Sequence, residues 1–513
     1  VTIPSEDSDE WLEWFLGPEP VKSAWSHQAR EFDEHKDDRC RALLWTMRTG
    51  KTKAVIDKAL YQYDQGNIEG VVVLAPNGIH INWVLNEIPR WTYPRNDVMA
   101  FAWEAPKRAD WDRIEKLRAL EAFGGMKWLT INMEALTETG NHGKDCIQTI
   151  KRFKAACHGK FMLAISEAHH FGRAGAKRTR LARNLGKVAK FVTVETGTPI
   201  LNSPLRAYSI YKILDDLALG PEYAGDTYEK FVRHFAEFEI DPNAPAFRAK
   251  RRAYKKLKCY KNLDELRDKM ARWSSVVTRD DVEGMPDLLR TERIIVMSET
   301  QRRAYLEMVS RHLVEIGDSM VSAKDGGARV QKLQQILNGY LKDGDAIIDI
   351  DPEAPIYDAL VEEVVGTYPE NSIVWCRYRE DIRRVCARLL REKIPFLEFH
   401  GGVPAGQREP VRLQFQNSDR PTVLVGHPGA GGEGRDFSRA HAIIFFSSTP
   451  NAIHVNQGEE RGTEKWGHPV SVVRFRTPGT VDDRNWAIVD GKVTVADDLS
   501  GRGLRDLLMR TDV

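Results

Sequence analysis

Long apolar runs are absent: nowhere in the 513 residues does one approach the ~18 positions that a membrane span requires. Paired cysteines are absent as well. The six cysteines (Cys40, Cys146, Cys157, Cys259, Cys376 and Cys386) are scattered with no C-x-x-C spacing. That spacing argues against a zinc or disulfide framework and points to reduced thiols in a cytosolic setting. Neither sign of charge is in excess, with 75 Lys and Arg against 74 Asp and Glu. This rules out a histone-like polycation, so a grip on nucleic acid has to be a local patch on a neutral body. The opening stretch VTIPSEDSDEWLEWF is acidic where a secretory signal is basic, and its lack of Met leads us to expect a trimmed or processed chain. Long Gly/Ser or Pro-rich linkers, low-complexity tracts and repeats of solenoid period are missing too.

What is present is globular: 42% hydrophobic and 29% charged residues, at a length that allows two to four domains of about 150 residues. Short apolar runs alternate with helical stretches, the α/β signature. In the first half the expected strands are 41–46 (RALLWT), 70–75 (GVVVLA), 127–131 (KWLTI), 161–165 (FMLAI) and 190–194 (KFVTV), with helices such as 52–64 and 178–188 between them. In the second half they are 372–376, 395–399, 422–426, 441–446 and 470–475. From about 205 to 345 the strand signal weakens and charged, helix-forming sequence takes over, including the basic run FRAKRRAYKKLKCYK at 247–261. The expected fold is α/β: two doubly wound parallel-sheet lobes with mostly helical inserts. The first lobe covers 1–285 with an insert at about 205–275, and the second covers 286–513 with a helical segment at about 298–345.

The run RALLWT leads into Met47-Arg48-Thr49-Gly50-Lys51-Thr52 and then a helix. A strand, a tight loop and a helix N-terminus aim N–H groups and a positive dipole end at one point, which suits a polyphosphate. Lys51 is placed for the β- and γ-phosphates and the Thr52 hydroxyl for Mg²⁺. Trp45 stands at the first glycine of the full G-x-x-x-x-G-K-T pattern, so the tripeptide alone is a weak signal; an ordinary strand-to-helix turn with a surface lysine also fits it. A second piece follows FMLAI as Ser166-Glu167-Ala168-His169-His170. Glu167 is placed to orient or deprotonate an attacking water. Adjacent histidines on a turn rarely converge on one metal, and no Cys or Asp cluster nearby completes a site.

With these motifs in order, the chain resembles superfamily-two helicases, specifically the Swi/Snf-like DNA-translocase branch in a compact phage or bacterial form. Trp25-Ser26-His27-Gln28 is similar to the upstream element whose glutamine reads adenine. The segment 71–91, with Pro76, Asn77 and Trp83, resembles the family's "cP…l..nW..E…w" stretch, and LTINMEAL (129–136) the next motif. Thr196-Gly197-Thr198-Pro199-Ile200-Leu201-Asn202 closely matches T-G-T-P-I-x-N. In the second half, His400-Gly401-Gly402 with Gln407, Arg408 and Phe415 resembles "GsT…R…F". Gly431-Gly432-Glu433-Gly434-Arg435-Asp436-Phe437 with Ala440 resembles G-G-x-G-x-x-L…A. Gln457-Gly458-Glu459-Glu460-Arg461 matches the start of Q-x-x-x-R-x-x-R-x-G-Q, and Thr480-Val481-Asp482-Asp483 the closing "gTvDe".

The resemblance implies two RecA-like lobes with ATP and Mg²⁺ between them. It assigns base recognition to Gln28, phosphate and metal contacts to Arg48, Thr49, Gly50, Lys51, Thr52 and Ser166, and water activation to Glu167. Arg461 is implied as the catalytic arginine, with Gly434, Asp436 and Gln457 as further nucleotide contacts. Metal contact falls to Thr52 directly and to Glu167 through water. Asn77, Thr198, Gly402 and Gly432 are the implied DNA contacts, small or polar as backbone contact needs. Arg251, Lys255 and Lys256 of the basic run extend that track on the helical insert; alternatively the run is a solvated helix face with Tyr254 and Leu257 packed inward.

Four departures from the family pattern stand out. Arg48 replaces the first glycine of M-G-x-G-K-T, Ser166 replaces the metal-shell aspartate, Glu464 sits where a second arginine belongs, and His468 replaces the final glutamine. A finger arginine is worth ~10³-fold or more in rate, and a carboxylate there repels the transferring charge. Lys465 beside it compensates in part, and Arg435 and Arg474 are other basic residues for the role. Two functions are therefore expected. One is an ATP-dependent double-stranded-DNA translocase or helicase in replication, recombination or repair, acting on duplex or branched DNA. The other is a weakened or inactivated ATP- and DNA-binding clamp or scaffold. A small-molecule kinase is disfavoured by T-G-T-P-I-x-N and by the whole second lobe. A monomer in the cytoplasm of a bacterial or phage-infected cell is expected, with no membrane association.

Overall fold

The computed structural model describes residues 23–106, 110–137, 140–197, 203–240, 255–311, 313–316, 319–322, 326–429, 437–463 and 467–500. They form two compact units, one up to Val282 together with the described residues from Val495 on, and the other over Glu283–Thr494.

The first unit is built on β1 (Cys40–Trp45), β2 (Gly70–Ala75), β3 (Val98–Trp103), β4 (Met126–Asn132), β5 (Phe161–Ile165) and β6 (Phe191–Glu195). After these come β7 (Ala236–Ile240), β8 (Lys255–Tyr260) and β9 (Ser274–Val277). Seven of the nine make one sheet in the order β3-β4-β2-β5-β6-β1-β9, and every pairing in it is parallel. β1, β2 and β5 are buried along their whole length, as strands covered on both faces must be. Their unbroken apolar runs follow from that burial. β6 lies between β1 and β5, with Glu195 beside Leu43 of β1 and Val194 beside Ile165 of β5.

Helix α1 (Ser26–His35) begins where Gln28 Oε1 accepts from the Trp25 backbone N–H at 2.8 Å. A buried pair holds it to the sheet: Arg41 on β1 donates twice to Glu31, at 2.8 and 3.2 Å. Helix α2 (Lys51–Asp64) turns Val55, Ile56 and Ala59 inward, the i, i+1, i+4 stripe of a helix lying on a sheet.

The second unit contains β10 (Leu288–Ile294), β11 (Leu313–Ile316), β12 (Ser319–Ser322), β13 (Tyr340–Asp343) and β14 (Ala346–Asp349). Then come β15 (Ser372–Trp375), β16 (Phe396–Phe399), β17 (Val423–Gly426), β18 (Ala442–Phe445) and β19 (Val470–Arg476). Its sheet runs β10-β19-β18-β15-β17-β16, again wholly parallel. The helix Arg379–Arg391 buries Ile382, Val385 and Leu389 in the core with Val374 and Ile444. Both units thus have the doubly wound parallel sheet of tandem RecA-like domains.

Several strands depart from the sequence reading. β3 and the four-residue β9 were not expected, nor were β10 and the hairpins β11–β12 and β13–β14, which interrupt or adjoin the stretch 298–345 expected as helix. Met and Ala fill the middle of β3, two serines open β9, and both lie at sheet edges, so neighbours rather than intrinsic preference select them. The basic run also differs. Its described part is not helical: Lys255–Tyr260 is β8, antiparallel to β7. Glu237 pairs with Cys259 and Phe238 with Leu257, leaving Lys258 as the bulged residue. The bulge turns Leu257 and Tyr260, three apart, toward the same core. The helical reading rests instead on Tyr254 and Leu257, and Tyr254 lies outside the described residues. Arg251 lies outside the described residues, and only the backbone of Lys255 and Lys256 is described.

Candidate nucleotide site

At the carboxyl end of β1 the chain makes the tight loop foreseen from the sequence. Gly50 caps α2 with φ +79°, and Arg48 also lies in the left-handed region at φ +65°. A side chain at such a φ costs about 1–2 kcal/mol, so Arg48 occupies a conformation that glycine takes freely. This is the physical content of its departure from the family pattern. Lys51 Nζ donates to the Trp45 and Thr46 carbonyls at 3.0 and 3.1 Å. The Thr49 hydroxyl donates to Thr46 O at 2.7 Å. Helix α1 is stapled to the loop: His27 Nε2 donates to Thr49 O at 2.7 Å and Gln28 Nε2 to Gly50 O at 2.9 Å. Both ends of the Gln28 amide are therefore engaged by backbone. Thr52 and Lys51 are half-buried in the first turn of α2, and Asn77 is exposed just beyond β2 on the same edge of the sheet.

The acidic side follows β5. Ser166 and Glu167 are both buried, and Glu167 has φ +54°. His169 Nδ1 lies 3.2 Å from Glu167 Oε2 and 3.2 Å from Thr196 Oγ1, which ties Glu167 to the T-G-T-P segment. Burial pushes the Glu167 carboxyl up, but the His169 hydrogen bond and the charges of His169, Lys51 and His170 outweigh it and hold it below its usual value.

One residue escaped the sequence reading. The Ser166 hydroxyl donates to Glu195 Oε1 at 2.7 Å. Glu195 is 3% exposed, and its other oxygen has no hydrogen-bond partner among the described residues. Burial pushes this carboxyl up to about 7 against the pull of Lys51 and the Ser166 hydroxyl, with Glu167 and Glu87 adding to the rise. The signal was there to find: an acid closes the apolar strand FVTV immediately before T-G-T-P.

The second unit carries its own motif residues. Gln457 on the helix Ala452–Glu459 and Arg461 in the turn Glu460–Gly462 are each 4% exposed. Arg474 is already committed, donating to Glu459 at 3.2 Å and Asp490 at 2.9 Å. Arg290 reaches the same Glu459 at 2.8 Å. Gly402 is exposed, and its N–H donates to His400 Nδ1 at 3.0 Å. His468 donates to the Ala440 carbonyl at 3.1 Å. Thr198, Gly432, Gly434, Arg435, Asp436, Glu464 and Lys465 lie outside the described residues.

The residues of the first unit suit a magnesium polyphosphate. A loop with two left-handed residues, a lysine ammonium and a buried carboxylate with one unmatched oxygen meet at one sheet edge. Among the described residues no group of three or more His, Cys, Asp or Glu would hold a metal by itself. Mg²⁺ bound mainly through phosphates and water needs no such cage. A cavity of about 420 Å³, lined by Asp38, Arg39, Cys40, Lys269, Arg272 and Trp273 among others, lies at the opposite end of β1, away from the G-K-T loop.

A paired parallel-sheet architecture with a phosphate loop defines a P-loop ATPase core of the helicase type. Residues 39–343 match the SNF2-related domain and residues 356–462 the helicase conserved C-terminal domain. The chain belongs to the SNF2-related family, the Swi/Snf-like branch of superfamily-two helicases. It is 21% identical over 350 residues to the SWI/SNF-related matrix-associated actin-dependent regulator of chromatin subfamily A-like protein 1 of Xenopus tropicalis, covering 65% of this chain and 33% of that protein. It is 20% identical over 476 residues to the DNA annealing helicase and endonuclease ZRANB3 of Bos taurus, covering 92% and 40%. The matches thus span a third to two-fifths of these relatives' length. Among solved structures, the Sulfolobus solfataricus SWI2/SNF2 ATPase core in complex with dsDNA aligns over 97% of both chains, at 17% identity and a TM-score of 0.37.

Proposed function

We propose that this chain is an ATP-dependent double-stranded-DNA translocase or helicase. The observation that carries the reading is the shared carboxyl edge of one parallel sheet, where the loop after β1 leads into Lys51 at the start of α2 and the buried Glu167 follows β5. ATP with Mg²⁺ supplies the phosphoanhydride whose hydrolysis drives the cycle. Lys51 exchanges its two carbonyl partners for phosphate oxygens, and the N–H groups of Thr49 to Thr52 complete the cradle. The Thr52 hydroxyl serves the metal. Glu167, held ionised, accepts the proton of the attacking water, while His169 fixes its orientation. Gln28 holds the loop from α1 and contacts the base.

On this reading a nucleotide-binding lobe covers 1–285 and a second lobe 286–513. Arg461 is the catalytic arginine of this reading, with Gln457, Gly434 and Asp436 as further nucleotide contacts. Asn77, Thr198, Gly402 and Gly432 meet the DNA backbone, extended by Arg251, Lys255 and Lys256. The protein acts as a compact phage- or bacterial-type monomer in the cytoplasm.

The test is DNA-stimulated ATP hydrolysis measured beside triplex displacement. Duplex DNA is expected to raise hydrolysis in the wild-type chain, and Lys51→Ala and Glu167→Gln to abolish both signals. DNA-independent turnover, or turnover that survives Lys51→Ala, overturns the reading. The neutral hydroxyl of Ser166 favours a second one, a clamp that binds ATP and DNA without turning over; binding with no hydrolysis selects it.

A further inference from the structure

The Ser166–Glu195 contact carries more than the filling of a buried gap. A hydroxyl is a poor partner for a hydrated dication, and with Ser166 at the metal-shell position the only carboxylate adjoining it in sequence is Glu167, which also has the attacking water to serve. The structure places a second there from the neighbouring strand. β6 runs between β1, which feeds the phosphate loop, and β5, which ends at Ser166. Glu195 is the last residue of β6, so its side chain stands at the carboxyl edge between the two halves of the site. Ser166 Oγ donates to Oε1 at 2.7 Å, and Oε2 is buried with no partner among the described residues. An acid inside a strand is costly to bury and is retained where something cationic meets it.

We propose that the Ser166–Glu195 pair is the magnesium-shell acid of this chain, with the carboxylate moved from the end of β5 to the end of β6. Ser166 is then a positioning residue: its hydroxyl holds Oε1 and leaves Oε2 for the metal's water shell. The inference rests on the nucleotide reading above and deepens it. It also explains why loss of the aspartate at 166 need not inactivate the site. An aspartate restored at 166 with Glu195 in place sets two carboxylates against each other.

The test uses the full chain, the non-hydrolysable analogue AMP-PNP and Mn²⁺ as spectroscopic probe. Manganese bound to the protein–analogue complex is read by the loss of the free-ion resonance, and AMP-PNP affinity is read by calorimetry in Mg²⁺ and in EDTA. Glu195→Gln keeps an acceptor for Ser166 and the strand packing. It is expected to weaken Mn²⁺ binding by about 10-fold or more, with AMP-PNP affinity in EDTA unchanged. Ser166→Asp alone gives no gain, while Ser166→Asp combined with Glu195→Val recovers most of the loss seen in Glu195→Val. Thermal unfolding of each variant shows that it is folded. Wild-type Mn²⁺ affinity in a folded Glu195→Gln chain overturns the inference, and Lys51-dependent AMP-PNP binding in the same experiment leaves the nucleotide reading standing. Absence of AMP-PNP binding by the wild-type chain overturns both.

Discussion

The side-chain amide of Gln28 donates to the carbonyl of Gly50 at 2.9 Å, and a Cβ built on Gly50 falls 2.1 Å from that amide nitrogen. Gly50 also sits at φ +79°, so two independent constraints exclude a side chain there. Gly50→Ala is expected to cost about 1–2 kcal/mol in backbone strain alone and to displace Gln28. A fluorescent ATP analogue should bind at least 10-fold more weakly, while far-UV dichroism stays unchanged. Adding Gln28→Ala removes the clash but not the strain, so rescue should be partial; complete rescue contradicts the strain argument.

Asp381 is the hub of the second unit. It is fully buried and accepts from Tyr340 OH at 2.8 Å, Asn338 Nδ2 and Ser447 Oγ at 2.9 Å, and the Tyr378 backbone N–H at 3.1 Å. Asp381→Ala strands four donors and should destabilise this unit by about 3 kcal/mol or more. Denaturant unfolding followed by hydrogen exchange at Tyr340 and Tyr378 measures it. A loss below about 1 kcal/mol would mean that water enters and satisfies the donors.

His80 gives a pH dependence with a definite sign. Burial lowers its imidazole to about 4, against a smaller upward pull from the Pro76 and Trp103 carbonyls. The folded state thus resists protonation while the unfolded chain takes a proton near pH 6.5. Stability from this group is full above pH 6.5 and is lost as pH falls toward 4, by up to about 3 kcal/mol. His80→Gln should flatten that part of the urea-midpoint profile, and an unaltered profile assigns the acid limb elsewhere.

The basic hairpin strand predicts a salt effect. Replacing Lys255, Lys256 and Lys258 by Gln should lower the slope of log affinity for duplex DNA against log salt by about 2 to 3 if all three meet phosphates. The Lys258 ammonium lies 2.7 Å from Glu237, which competes with phosphate for it. An unchanged slope takes this strand off the DNA track.

How much of this was legible in the sequence depended on how local the determinant was. The fully buried strands announced themselves as apolar runs, and RALLWT, GVVVLA and FMLAI read correctly to within a residue. The turn between β1 and α2 was equally local, because Gly50 supplies the left-handed residue that starts the helix. Edge strands β3 and β9 were invisible because their neighbours supply the pairing. The basic run reads as a helix from the three-residue spacing of Tyr254 and Leu257, whereas Lys255–Tyr260 gains its strand pairing from β7, earlier in the chain.

By itself the sequence determined the layered α/β plan and the tight turn between β1 and α2, since buried strands demand apolar runs and a left-handed turn before a helix favours glycine. That Ser166 meets Glu195 was settled only by tertiary structure. Ser166 and Glu195 are 29 residues apart, and nothing in either segment names the other. Parallel pairing of β5 with β6 brings their ends to one edge, because a parallel sheet aligns its carboxyl termini whatever the length of chain between strands.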